Sequence, residues 1–256
     1  GHCPHFLFVG CEKWKTHCHS CPQKKDYPSS WFADRSKKNF TLKRELFTSL
    51  TNLTLVPVSQ WLSGILDESF LKHYPIKVIN NGINTEIFNP SEGVSFRNKH
   101  QLENKFILLG VASIWSHRKG LSDCVELSKL LDADYQIVLV GLTKKQIEQL
   151  PEKILGIERT EDTFPTTNLE ALACGTPVIT YKTGGSPEAI DESTGLIVET
   201  KDLNGLVKAI KQMKQNGRLS YTDACVNRAR RLYKKEDRYN EYIDLYNSLT
   251  NEKSNL

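Results

Sequence analysis

From residue 105 onward, short and almost wholly apolar runs alternate with stretches of helical periodicity. Residues 106–112 and 135–141 form two such runs, and residues 154–157, 177–181 and 195–198 form shorter ones. Apolar runs that do not alternate with polar residues read as strands covered on both faces. Residues 121–131 and 202–213 place apolar side chains at helical spacing, and residues 144–150 read as a short helix. Strand, loop, helix and strand in this succession predict βαβ units, hence an α/β fold with a Rossmann-like parallel sheet flanked by helices. A further helical stretch over 169–173 stops at Gly175, with Pro177 just beyond. Gly184 and Gly185 form a turn and residues 187–190 a helical start. Residues 220–249 read as charged helices, and the last six residues as a frayed end.

Upstream the pattern is less regular. Residues 1–40 are rich in Cys, His, aromatics and Lys, without periodicity, and predict a loop-rich segment. Residues 41–50 predict a short helix and residues 53–58 a strand, after which Ser59 can cap a helix starting at Gln60 and Trp61. Pro75 breaks the chain, residues 76–79 read as a short strand, and Asn80 to Gly82 as a turn. Turn formers and polar residues then concentrate up to about residue 100, which places a domain boundary there. The expected division is 1–75 as a partial domain with the Cys-rich segment, 76–235 as the Rossmann-like domain, and 236–256 as a terminal helix and tail.

Composition narrows the classes. The chain has 256 residues, 39% hydrophobic and 25% charged, with a net charge of +4. That charge is too mild for nucleic acid as a partner. It suits an anionic ligand or an anionic membrane face, and an ordinary slightly basic surface accounts for it equally well. No apolar run approaches the roughly 20 residues that span a bilayer. The opening Gly1, His2, Cys3 and Pro4 do not form a signal peptide. Cys124, Cys174 and Cys225 stand singly in segments that read as buried, like reduced core thiols, so the expected compartment is the cytoplasm.

Four local features carry chemistry. Trp115 to Gly120 occupies the loop after a strand, where ligands of open α/β sheets bind. Arg118 and Lys119 there can neutralise a diphosphate, Lys as a point charge and Arg as a fork, or be two solvated surface cations. Residues 162–170 lead small polar groups into a helix, whose first amides favour an anion. Glu170 can accept from sugar hydroxyls, or close a capping box with Thr167. Gly184 to Glu188 is a turn opening another helix, where Glu188 can simply favour the helix dipole. Cys3, Cys11, Cys18 and Cys21 can bind a tetrahedral zinc; two disulfides or buried thiols are the alternatives.

Together these segments resemble the family 4 retaining glycosyltransferases of the two-Rossmann-domain (GT-B) type, as in bacterial capsule and exopolysaccharide synthesis. Val78 to Pro90 is similar to that family's interdomain segment, and Arg118 to Gly120 to its phosphate-binding loop. Residues 162–170 and the following 171–178 resemble its paired-carboxylate signature, followed in order by Gly184 to Glu188 and Thr194 to Val198. The resemblance implies a nucleotide-diphosphate sugar as donor, on uridine or guanosine, and a glycan or lipid-linked acceptor. Sugar would be transferred with retained configuration and without a catalytic metal. It assigns the diphosphate to Arg118 and Lys119, the ribose to Glu170, and the neighbourhood of the transferred sugar to Asp162, with Glu161 beside it. Phe164, Pro165, Thr166 and Thr167 would present backbone amides to the donor. The Cys-bearing start resembles an insert in a subset of these enzymes, which implies a structural role for its thiols.

Two departures stand out. The first half of the acceptor domain, with its glycine-rich loop and histidine, has no counterpart in this sequence. Between Arg159 and Glu161 a strand-helix unit of about 30 residues is missing from the family pattern. Three readings follow: a transferase active in a complete form, a binding module that holds a nucleotide sugar without catalysing, and a zinc-linked interaction protein. The basic positions Lys24, Lys25, Arg35, Lys37, Lys38, Lys43 and Arg44 allow peripheral contact with the inner membrane face, or form a solvated basic surface.

Overall fold

The computed structural model describes residues 11–25, 30, 32–113, 115, 119–158 and 166–251. The chain divides into two units, Gly1–Asn80 and Asn81–Leu256.

The first unit is built around a small core. A 3-10 turn at Lys13–Lys15 buries Trp14, which clusters with Cys18 and Phe40, and Ile65 and Phe70 pack against them. Phe40 belongs to α1 (Ser36–Thr48) and Ile65 to α2 (Gln60–Asp67). The helix therefore begins ahead of the expected residue 41, because Ser36 and Phe40 are both drawn into the interior. Ser59 caps α2 as expected, its hydroxyl accepting from the Leu62 amide. Residues 53–58 and 76–79 meet in one parallel bridge, Leu55 with Ile76, and in a bond from the Ile79 amide to the Pro57 carbonyl at 3.1 Å, instead of forming full strands. Two short segments without a third neighbour make a marginal ladder.

The second unit holds the α/β fold. After α3 (Val94–His100) come β1 (Phe106–Val111), α4 (Leu121–Leu130), β2 (Tyr135–Leu142), α5 (Lys144–Glu148) and β3 (Ile154–Glu158). Then follow α6 (Thr167–Ala173), β4 (Val178–Tyr181), a 3-10 turn at Ser186–Ala189, β5 (Gly195–Val198), α7 (Leu203–Asn216), α8 (Leu219–Tyr233) and α9 (Lys235–Asn251). All paired strands run parallel, as the βαβ rhythm predicts. The expected single sheet is two: a three-stranded sheet in the order β1-β2-β3, and the pair β4-β5.

That division has a sequence correlate. The strand-helix unit that the family pattern places after residue 159 is the one that would lie between β3 and α6. Among the described residues β1 is an edge strand, although its sequence is that of a covered one. Leu109 is 62% and Val111 38% exposed, whereas Val138, beside Leu109 in the register, is fully buried.

One core forms on α4, β2 and α7, from Leu127, Leu131, Ile137, Leu139, Leu142, Ile154 and Ile210. Another gathers α6, β4, the 186–189 turn and α8 through Leu172, Val178, Ala189, Tyr221, Cys225 and Tyr233. Ile179 packs against both. Residues after Asn81 are tied to the far end of the unit, with Ile83 bridging Lys234.

Gly141 closes β2 with a φ of +97°, and a Cβ there would lie 1.8 Å from the Ala112 carbonyl oxygen. Both the left-handed backbone and the close approach demand glycine. Gly141→Ala is therefore expected to cost at least about 2 kcal/mol, read as a lower midpoint in urea unfolding.

Candidate functional site

The loop after β1 is held from below. The Ala112 amide donates to the Val140 carbonyl at 3.2 Å, and the Trp115 indole N–H reaches the same oxygen at 2.8 Å. Trp115 is buried, and its own carbonyl accepts from the Gln146 side chain at 3.0 Å. These bonds fasten Ala112 and Trp115 to β2, and Trp115 also to α5. Lys119 is exposed, one residue before Gly120, the N-cap of α4. Arg118 lies outside the described residues.

A second group gathers around α6. Thr166 is the N-cap of this helix and makes no side-chain bond to its backbone. Thr167 is already the first helical residue. The capping box between Thr167 and Glu170 that the sequence allows is thus not formed. Instead the Thr166 hydroxyl donates to Glu170 Oε1 at 2.6 Å, which orients the carboxylate from the side. Glu161, Asp162, Phe164 and Pro165 lie outside the described residues.

The turn after β4 joins this group. Ser186 Oγ accepts from Asn168 Nδ2 at 2.8 Å and lies 2.6 Å from Thr180 Oγ1. Thus β4, the Gly184–Glu188 turn and the first turn of α6 meet at one hydroxyl. The Glu188 carbonyl accepts from Arg228 Nη2 at 3.0 Å and from the Tyr233 hydroxyl at 3.2 Å. The helical start expected at residue 187 is a 3-10 turn over Ser186–Ala189.

The start of α4 and the end of β4 are electrostatically linked. Burial pushes the Tyr181 phenol up to about 12, and the Asp123 carboxylate adds to the shift. Lys119, the 184–188 turn and the start of α6 all follow the carboxyl ends of parallel strands, which is where ligands of open α/β sheets bind. The sequence reading singled out Lys119, Thr166, Glu170 and the glycine turn. It gave Asn168, inside the 162–170 segment, no role of its own, and it missed Thr180, Tyr181 and Arg228, which no local motif marks, because their roles depend on distant partners.

The cysteines separate as their spacing implied. Burial pushes Cys124 up to about 11 and Cys225 up to about 12, each helped by a neighbouring carboxylate, Asp123 and Asp191 respectively. Burial likewise raises Cys174, with Glu170 adding to the effect. All three stay protonated at neutral pH, as core thiols do. In the first unit Cys18 is buried in the small core, and the Cys21 amide donates to Asp34 Oδ2 at 2.7 Å. Among the described residues no three His, Cys, Asp or Glu side chains are gathered so as to hold a metal. Cys3 lies outside them.

Residues 152–232 match the family model described as Glycosyl transferases group 1. Over nearly its whole length, 94%, the chain is similar to the putative colanic acid biosynthesis glycosyl transferase WcaC of Escherichia coli, at 24% identity. It is 32% identical over 80 residues to a GDP-mannose-dependent monoacylated alpha-(1-6)-phosphatidylinositol monomannoside mannosyltransferase of Corynebacterium glutamicum, a match over 31% of this chain. The chain spans 64% of the first of these relatives and 21% of the second.

Among solved structures, sucrose-phosphate synthase from Thermosynechococcus elongatus superposes with a TM-score of 0.70 at 20% identity, over 86% of this chain and 64% of that one. Anabaena Alr3699/HepE in complex with UDP-glucose gives 0.68 at 18% identity, over 82% of this chain and 68% of that one. The fold is therefore the α/β arrangement of GT-B glycosyltransferases, with parallel sheets and flanking helices. No helix among the described residues is long and apolar enough to cross a membrane.

Since Glu170 bonds a side chain and not the helix end, Glu170→Gln is expected to leave stability within about 1 kcal/mol of the parent. Equilibrium urea unfolding measures this. A loss nearer about 2 kcal/mol would be that of a removed cap.

Proposed function

We propose that this chain binds a nucleotide-diphosphate sugar at the carboxyl ends of β1 and β4, as the donor side of a retaining glycosyltransferase. The observation that carries this reading is the meeting of β4, the glycine turn and α6 at Ser186, with Glu170 oriented beside it and Lys119 exposed on the loop after β1. Lys119 and Arg118 act on the diphosphate. Glu170 accepts from the ribose hydroxyls. Asp162, with Glu161 next to it, serves the transferred sugar, and Phe164 to Thr167 offer backbone amides.

In the transfer the bond between the anomeric carbon and the diphosphate oxygen breaks, and a bond to an acceptor hydroxyl oxygen forms on the same face. The acceptor proton leaves with the diphosphate. The transition state is oxocarbenium-like and negative charge grows on the departing oxygens, so fixed cations lower the barrier. No metal is needed for that step. Uridine and guanosine are both compatible bases, and the relatives named above include one that uses GDP-mannose and one that holds UDP-glucose. The acceptor is a glycan or a lipid-linked sugar, met by peripheral contact at the inner membrane face. A structural zinc on Cys3, Cys11, Cys18 and Cys21 rests on the sequence pattern alone, and the metal content of the purified protein decides it.

The test is calorimetric titration with uridine and guanosine diphosphate, their sugar conjugates and the bare nucleosides. One diphosphate should bind saturably. Lys119→Ala should weaken it about tenfold or more while leaving the nucleoside unchanged, since a charge-assisted contact is lost. Equal loss of both would remove Lys119 from the diphosphate. Glu170→Gln should instead weaken nucleoside and diphosphate alike, by about tenfold. Binding without product in an activity assay would identify a binding module, and no binding by the folded protein would overturn the donor reading.

A further inference from the structure

Arg228 makes the densest set of polar contacts on α8, all of them to residues 188–191. Its Nε donates to the Ala189 carbonyl at 2.8 Å, and Nη2 to the carbonyls of Glu188 at 3.0 Å and Ile190 at 3.4 Å. Nη1 pairs with the Asp191 carboxylate. The guanidinium side chain is only 14% exposed. Three successive carbonyls are thus turned towards one cation, and the Tyr233 hydroxyl adds a second donor to the first of them. These carbonyls close the 3-10 turn Ser186–Ala189, where the last acceptors of a helical turn lack donors of their own, and the guanidinium supplies them.

The same turn is also held by Ser186, which bonds Asn168 on α6 and Thr180 on β4. A continuous path therefore runs from Arg228, through the turn, to the helix that carries Glu170. We propose that Arg228 is a positioning residue for the donor site: by clamping the 188–190 carbonyls it fixes the Gly184–Glu188 turn and, through Ser186, the first turn of α6. This rests on the donor reading above for its consequence in binding, and on geometry alone for its consequence in order.

The contact pattern separates this role from that of an ordinary ion pair. Asp191 is also held by Ser193 and Thr194 and supplies only one of the four groups that Arg228 bonds. A planar fork satisfies three carbonyls and a carboxylate together, which an ammonium point charge cannot. Loss of the carboxylate charge should therefore matter little, and exchange of the guanidinium for an ammonium should matter a great deal.

The experiment compares Arg228→Lys and Asp191→Asn with the parent by amide hydrogen exchange and by titration with uridine and guanosine diphosphate. In Arg228→Lys, exchange should rise about tenfold or more in residues 184–191 and also in residues 166–170, with little change in β1 and β2. Its affinity for the bound diphosphate should fall about tenfold, and Asp191→Asn should stay within about twofold on both readouts. Loosening confined to 186–191, or equal effects of the two variants, would overturn the proposal. A parent that binds no nucleotide would remove the donor reading, and the exchange pattern would still decide whether Arg228 orders α6. If Arg228→Lys melts globally, its exchange rises in β1 and β2 as well, and Arg228 is then a stability residue and the proposal fails.

Discussion

The parallel pairing of β1 with β2 is the constraint on which the rest of the second unit depends. Six residues of each strand lie in register, from Phe106 beside Tyr135 to Val111 beside Val140. The pairing ends where Gly141 lets the chain pass close against Ala112. Because the Val140 carbonyl takes both the Ala112 amide and the Trp115 indole, the strand end and the loop after it are fixed by the same acceptor. One backbone donor and one side-chain donor thus hold Ala112 and Trp115 to the end of β2. Lys119 follows, exposed, one residue before the N-cap of α4.

How much of this was legible depended on the range of the interactions. The βαβ rhythm, the parallel pairing and the elements from β1 to β5 follow from apolar runs a few residues long, and all appear close to their expected bounds. Ser59 as a cap, and the helix stop at Gly175, are equally local. Two local readings failed through their surroundings. Thr167 and Glu170 have the spacing of a capping box, but the helix begins one residue earlier than the box requires, and Thr166 takes the carboxylate. Residues 53–58 have the composition of a strand, yet a ladder needs a partner, and residues 76–79 offer only a bridge and one further bond. The site residues that were given no role, Asn168, Thr180 and Arg228, act on partners from 6 to 40 positions away. No periodicity can reveal such pairs.

The division of the sheet shows a conflict between sequence and environment. The run Phe106–Val111 is apolar on both faces, which is the signature of an interior strand, yet Leu109 stands 62% exposed. An apolar edge of this kind is normally blunted by charge, proline or a bulge, and β1 has none of these. By contrast the other side of the same sheet, β3, carries an irregular register against β2 and ends in Glu158. The sequence of β1 is thus that of a covered strand, while among the described residues β1 pairs on one side alone. That is a property of the local chemistry and holds whatever the activity of the chain.

The two halves of the candidate site depend differently on that break. The Lys119 side is anchored to β2 and α5 and belongs wholly to the three-stranded sheet. The Glu170 side is anchored to β4 and α8 and belongs to the other sheet. What joins them is side-chain packing and electrostatics: Ile179 shared by both cores, α7 contributing Ile210 to one core and Met213 to the other, and the Tyr181 phenol beside Asp123. Packed side chains hold position less stringently than a hydrogen-bonded ladder, because dispersion contacts are weak singly and not directional. A diphosphate on Lys119 whose ribose reached Glu170 would itself span the two sheets. Ligand binding should then contribute order across the break in addition to affinity, since anything that binds only the assembled arrangement stabilises it.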